Sequence, residues 1–142
     1  MASLTLDQAN IIISAAMAHG VELGLKPLSI AVLCPGGHLI AFQRSDGGST
    51  LRPQIAVGKA SGALALGINS RAIADMAAER PGFVASLGPV APAGIIPAAG
   101  GVIIRDGSGA IAGAVGITGD TSDNDETCAI AGILAAGLVP QG

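Results

Sequence analysis

VIIRDGSGAIAGAVGI, residues 102–117, sets two aliphatic runs, VIIR and AIAGAVGI, on either side of Asp106-Gly107-Ser108-Gly109. Asp and Gly supply a tight turn, and Val and Ile suit a pleated, buried surface, so the stretch reads as a β-hairpin. A second stretch has the same form. SIAVLC (29–34) and HLIAFQR (38–44) are strand-like and are joined by Pro35-Gly36-Gly37.

Around the hairpins the periodicity becomes helical. Thr5-x-x-Gln8 is a capping box and Asp7 matches the positive end of a helix dipole, so a helix starts at Thr5. Spacing puts Leu6, Ile13, Met17, Gly20 and Val21 on its apolar face, with Asp7, Gln8, His19 and Glu22 opposite. Ile11 and Ile12 lie toward the polar side and hint at a second buried surface. Gly24 and Pro27 end the helix. Residues 51–66 form another helix with Pro53 in its first turn. Gly58 and Gly62 cost this helix propensity, so they point to close approach of another backbone or a ligand. Asn69 or Ser70 caps a short helix that stops at Arg80-Pro81-Gly82, and residues 83–87 add a further helical turn. Residues 88–101, rich in Pro, Ala and Gly, form an ordered loop. The segment 127–139 has no charge and reads as a helix apolar all round, which must be covered on nearly every side, either between sheet and neighbours or in a subunit interface.

The order is helix, hairpin, helices, hairpin, helix. Antiparallel strand pairs with helices segregated between them make one α+β domain over residues 1–142.

Half of the residues are hydrophobic and only 12% are charged, so much apolar surface must face something other than water, and a homo-oligomer is the simplest sink for it. Gly and Pro interrupt every apolar run before it could span a bilayer, and the first ten residues lack the basic region of a signal peptide. The expectation is a cytoplasmic protein without a membrane partner. Nucleic acid is excluded too. Phe42 and Phe83 are the only aromatics, and a net charge of −3 with no basic stripe offers nothing to phosphates. Cys34 and Cys128 are far apart and form no CxxC. They read as small hydrophobes in a reducing compartment, with a disulfide as the alternative.

TGDTSDNDE (118–126) holds four of the ten acidic residues. As a calcium loop starting at Asp120 it fails, because the sixth position is Asp125 and the twelfth is Ala131. Ser122-x-x-Asp125 and Asp123-x-x-Glu126 are capping-box-like, so the stretch reads chiefly as a helix start, with a binding role open at the strand–helix junction. Gly36-Gly37 reads as a turn. Gly100-Gly101 reads equally as a turn or as a place of close ligand approach. Lys59, inside an apolar helix, either snorkels to the surface or is a buried cation awaiting a carboxylate or a ligand anion.

Three stretches together resemble a known family. SIAVLCPGGHLIAFQRSDGG (29–48), IAVGKASGALALGINSRAIADMAAERPGF (55–83) and IIPAAGGVIIRDGSGAIAGAVGITGDTSDNDE (95–126) are similar, in this order, to the GlcG/HbpS-type family of haem-degrading or DUF336 domains. The resemblance implies a profilin-like fold, a central antiparallel sheet flanked by helices, and assembly into a hexamer or octamer. It also implies haem, or another porphyrin-like anion, as ligand. Carried over by motif, the positions of interest are Gly37, His38, Arg44, Asp46, Lys59, Arg71, Pro97, Gly100, Gly101, Gly116, Gly119 and Asp120. This chain departs from the family pattern at Cys34-Pro35, where an acidic residue is usual, and at Ser45, where Met is usual. His19 is the expected iron ligand of the two histidines.

Two function classes compete with ligand binding. One is a cofactor-free isomerase or lyase on a small oxygenated metabolite, with Lys59 or Asp120 as acid–base group and Arg71 or Arg44 gripping a carboxylate. The other is a structural accessory partner of a catabolic enzyme.

Overall fold

In the computed structural model, which describes residues 3–142, five helices cover both faces of a five-stranded antiparallel sheet. The elements are α1 (Leu6–Glu22), β1 (Ser29–Leu33), β2 (Leu39–Arg44), α2 (Arg52–Leu66), α3 (Ser70–Glu79), α4 (Pro81–Leu87), a 3-10 turn (Gly88–Val90), β3 (Gly101–Arg105), β4 (Ile111–Thr118), α5 (Ser122–Ala135) and β5 (Val139–Pro140). The strand order is β2-β1-β4-β3-β5. The two sequence hairpins therefore lie side by side, joined through β1 and β4. No helix among the described residues is long and apolar enough to cross a membrane.

Strand alternation sorts the sheet into two faces. Ile30, Val32, Val102, Ile104, Val115 and Ile117 pack under α1 and α5 as the main core. On the other face Leu33 and Ala114 meet Ala60 of α2. This second face is built from small residues. Ala31, Gly116 and Gly101 stand in one row across β1, β4 and β3. A Cβ on Gly116 would collide with the carbonyl oxygen of Ala56, and one on Gly101 with that of Lys59. The helix thus lies directly on the backbone of the sheet. Its outer side is equally close to the loop before β3. A Cβ on Gly58 would come within 2.7 Å of Ile96, and one on Gly62 within 3.2 Å of Ile95. The glycines of α2 admit another backbone segment, which holds the loop in order.

Three expectations change. The buried face of α1 is Ala9, Ile12, Ile13, Ala16 and Gly20, rotated from the one that spacing selects. Leu6 and Val21 are exposed, and Ile12 belongs to the main core. Small residues drive the rotation. Gly132 of α5 admits α1 so closely that a Cβ on it would sit 2.6 Å from the Ile12 carbonyl oxygen and 3.3 Å from the Ala16 methyl, and a hydrophobicity count gives such contacts little weight. Second, α5 starts inside the acidic stretch as its capping pattern indicates, but the N-cap is Thr121, which accepts from the Asn124 N–H at 3.2 Å, in place of Ser122 or Asp123. It ends at Ala135, and Val139–Pro140 returns as a short edge strand beside β3. Third, a single chain does not cover α5 all round, since Leu134 is exposed, and that side is left to the subunit-interface alternative. The capping box at Thr5 and Gln8 is present as expected. Both cysteines are free thiols.

Candidate functional site

The chemistry-bearing residues fall into four neighbourhoods. The first is a buried polar knot where α2, β4 and α5 meet. Lys59 is 3% exposed, and its ammonium donates to the Ile117 carbonyl at 2.9 Å and to Asp125 Oδ2 at 3.3 Å. Asp125 is 1% exposed, and its other oxygen accepts from the Asp120 N–H at 3.0 Å. Burial pulls the Lys59 ammonium down and pushes the Asp125 carboxyl up, each opposed by the attraction of the other. Gly100, at φ +128°, closes the knot, because a Cβ there would sit 2.8 Å from the Lys59 nitrogen. Asp120 lies at the rim. It accepts from the Lys26 N–H at 3.0 Å and from Asn124 Nδ2 at 2.8 Å, which hold its carboxyl down at about 2. Gly119, at φ +148°, lies against the Pro27 carbonyl.

So Lys59, Gly100, Gly101, Gly119 and Asp120 do come together, but around an internal ion pair. Lys59 does not snorkel: it is the buried cation of the second reading, and its carboxylate is Asp125. Sequence reading gave Asp125 to the helix start. The spacing that reveals its second role was available. Asp125, Cys128, Ala129, Gly132 and Ile133 recur at helical intervals and form the buried face of α5.

The second neighbourhood is a cleft of about 320 Å³ between α3 and α5. Val102 floors it, and Asn69, Arg71, Glu126, Ile130 and Gln141 stand around it. Arg71 is tied to Asp123 and to Glu126, the latter at 3.0 Å, which hold it further into its charged form. Asn69 accepts from the Ile103 N–H and donates to the Gln141 carbonyl, so it pins the C-terminal strand.

A third neighbourhood lies at the β1–β2 turn. Here a cleft of about 340 Å³ is walled by Pro35, Leu64, Ala65, Pro92 and Ala93, with His38 at its rim. His38 Nε2 and Cys34 Sγ stand 3.5 and 3.8 Å from the position a Cβ on Gly36 would take. Glycine leaves the imidazole and the thiol facing one small space. Cys34 was seen in the sequence only as a departure from pattern. The fourth neighbourhood is at the far end of β2. Arg44 is exposed there with its stem against Gly48, and Asp46 lines a groove beside Met17.

His19 lines none of these clefts. It stands on α1 beside Glu22, with 3.6 Å between Nδ1 and the carboxylate. Pro97 is exposed on the loop over α2. Among the described residues, no three His, Cys, Asp or Glu side chains group to hold a metal ion.

The model of the HbpS-like family, described as haem degrading, matches residues 4–134. The chain belongs to the HbpS-like family. Solved structures agree in fold. The crystal structure of a PduOC–haem complex superposes with a TM-score of 0.85 at 19% identity, covering 99% of both chains. A double mutant of Streptomyces reticuli HbpS gives 0.80 at 27% identity over 94% of this chain and 87% of the other. Klebsiella pneumoniae ORFY, a DUF336 protein, gives 0.85 at 24% identity over 96% and 92%. No curated protein sequence is significantly similar to this HbpS-like chain.

Proposed function

We propose that this HbpS-like protein binds haem, or a closely similar tetrapyrrole, in the cleft at the β1–β2 turn. One observation carries the reading. The His38 imidazole lines this largely aliphatic cleft, and next to it the Cys34 thiol stands 3.8 Å from the position a Cβ on Gly36 would take. Histidine nitrogen and cysteine sulfur are both axial ligands of haem iron, so the residues present fit the group. When bound, haem would supply a redox-active iron, and the chain would supply what holds it. His38 or Cys34 would hold the iron. Leu64, Ala65, Pro92 and Ala93 would cover one edge of the ring. Membership of a haem-degrading family and the haem complex of the PduOC relative support the reading.

A cleft of about 340 Å³ lies at the small end of ligand pockets, which run to about 1,000 Å³. The ring would therefore protrude. Apart from the cleft, Val21, Val90 and Leu134 are left exposed and give a second copy of the chain apolar surface to cover. A homo-oligomer, hexamer or octamer, is part of the proposal, and light scattering on the purified protein tests it.

The binding test is a Soret titration with haemin. A saturable shift is expected for the wild type, reduced or lost in His38→Ala or Cys34→Ser. No saturable shift in the wild type would overturn the haem reading. Wild-type binding by the double variant, with loss in His19→Ala, would move the ligand to α1. Proton-transfer chemistry finds less support, because Lys59 is sealed in its knot and Asp120, at about 2, is a weak base.

A further inference from the structure

The seven basic side chains are unequally satisfied. Lys59 pairs with Asp125, Arg71 with Asp123 and Glu126, and Arg105 bonds Gln141 and the Gly109 carbonyl, while Arg80 lies over the Phe83 ring. Among the described residues, no carboxylate forms an ion pair with Arg44 or Arg52. These two arginines share one corner of the fold. Ser29, the first residue of β1, stands in register with Arg44 of β2 on one side and with Thr118 of β4 on the other. Residues in register project to the same face of a sheet. Arg52, in the first turn of α2, donates from Nη1 to Thr118 Oγ1 at 2.8 Å. The stem of Arg44 lies against Gly48, in the loop that leads into α2.

Two further observations give this corner the chemistry of an anion site. Helix α2 is 15 residues long, and its N-terminus has no side-chain cap and no acidic residue in its first turn. The partial positive charge at that end is met by no acidic side chain of the helix's own first turn. Ser29 Oγ is fully buried in the same row as Thr118 and has no hydrogen-bond partner. Buried hydroxyls are rarely left so, and this one stands in register between Arg44 and Thr118 with its donor unused.

We propose that Arg44 and Arg52, at the N-terminus of α2 above Ser29 and Thr118, bind an oxyanion: a carboxylate or phosphate group of a small ligand. Arginine forks match the planar geometry of either group. Ser29 and Thr118 supply hydroxyls in the row beneath. The site lies at the opposite end of β2 from the His38 cleft, so it stands independently of haem binding there.

The test is an NMR titration of the full chain, following arginine side-chain Nε–H signals, with inorganic phosphate and separately with succinate. Sodium chloride at matched ionic strength is the reference. Saturable shifts confined to Arg44 and Arg52 are expected with at least one anion. Phosphate alone would assign the site to phosphate esters, and succinate alone to carboxylates. Arg44→Gln replaces an exposed side chain, so the fold survives, and it should weaken the affinity about tenfold. Arg80→Gln removes the same net charge elsewhere and should leave the affinity unchanged. Shifts with both anions no larger than with chloride would overturn the proposal, as would equal losses in the two variants. A failed haemin titration would leave these results untouched.

Discussion

Lys59→Met separates a structural role for this residue from a ligand-binding one. The substitution keeps an unbranched side chain one atom shorter and removes its charge. It strands Asp125 Oδ2, 1% exposed, and it takes the ammonium donor from the Ile117 carbonyl. Breaking one side of a buried pair costs about 3–5 kcal/mol, because the surviving charge stays desolvated. A domain of this size has about 5–15 kcal/mol in all, so the loss takes roughly a fifth or more. At roughly 3–5 °C per kcal/mol, Tm should fall by about 10–20 °C. Adding Asp125→Asn removes the stranded charge while its amide oxygen still accepts from the Asp120 N–H. The double variant should therefore regain at least about half of the loss. Urea unfolding of the wild type, both single variants and the double variant measures the cycle. A loss under about 1 kcal/mol in Lys59→Met would refute the reasoning, as would a double variant no more stable than the single one. A Lys59→Met protein with native stability but no ligand binding would return Lys59 to the ligand.

Three further outcomes are expected. Gly116→Ala drives a methyl into the Ala56 carbonyl and lifts α2 from the sheet, so the urea midpoint should fall by the equivalent of about 2 kcal/mol or more. The Asp120 carboxyl is held at about 2, below its ordinary 3.8, so its stabilising contribution is present above about pH 4 and is lost as pH falls through about 2. Asp120→Asn should flatten the acid limb of a stability–pH curve over that window, and an unchanged limb would refute the assignment. Cys128 is buried and its thiol is pushed up to about 11, first by burial, whereas Cys34 is half-buried at the β1–β2 turn. A chromogenic disulfide reagent should therefore modify one thiol in the native protein and two after unfolding, and two fast native equivalents would contradict this burial.

The hairpins, the Thr5 cap and the Pro53 helix were legible because each depends on a few neighbouring residues. Turn chemistry at 106–109 and a capping box at 5–8 act over one turn of chain. The α+β class follows from their order. Positions that interact only through space were harder to read. The face of α1 depends on glycine contacts with α5, which a hydrophobic period does not record. Arg52 and Ser29 carried no motif, and their meaning comes from the register of β1 with β2 and β4.

The acidic stretch marks the division. By itself the sequence determined that 118–126 ends a strand, starts a helix and is no calcium loop, since helix capping and ligand spacing are local matters. Only the tertiary structure decided that Asp125 turns inward to Lys59. That pairing spans 66 positions of sequence, and it exists because α2 lies on the backbone of β4 and brings an ammonium to the first turn of α5. Charge in a low-dielectric interior takes the nearest partner, and packing alone determines which partner is nearest.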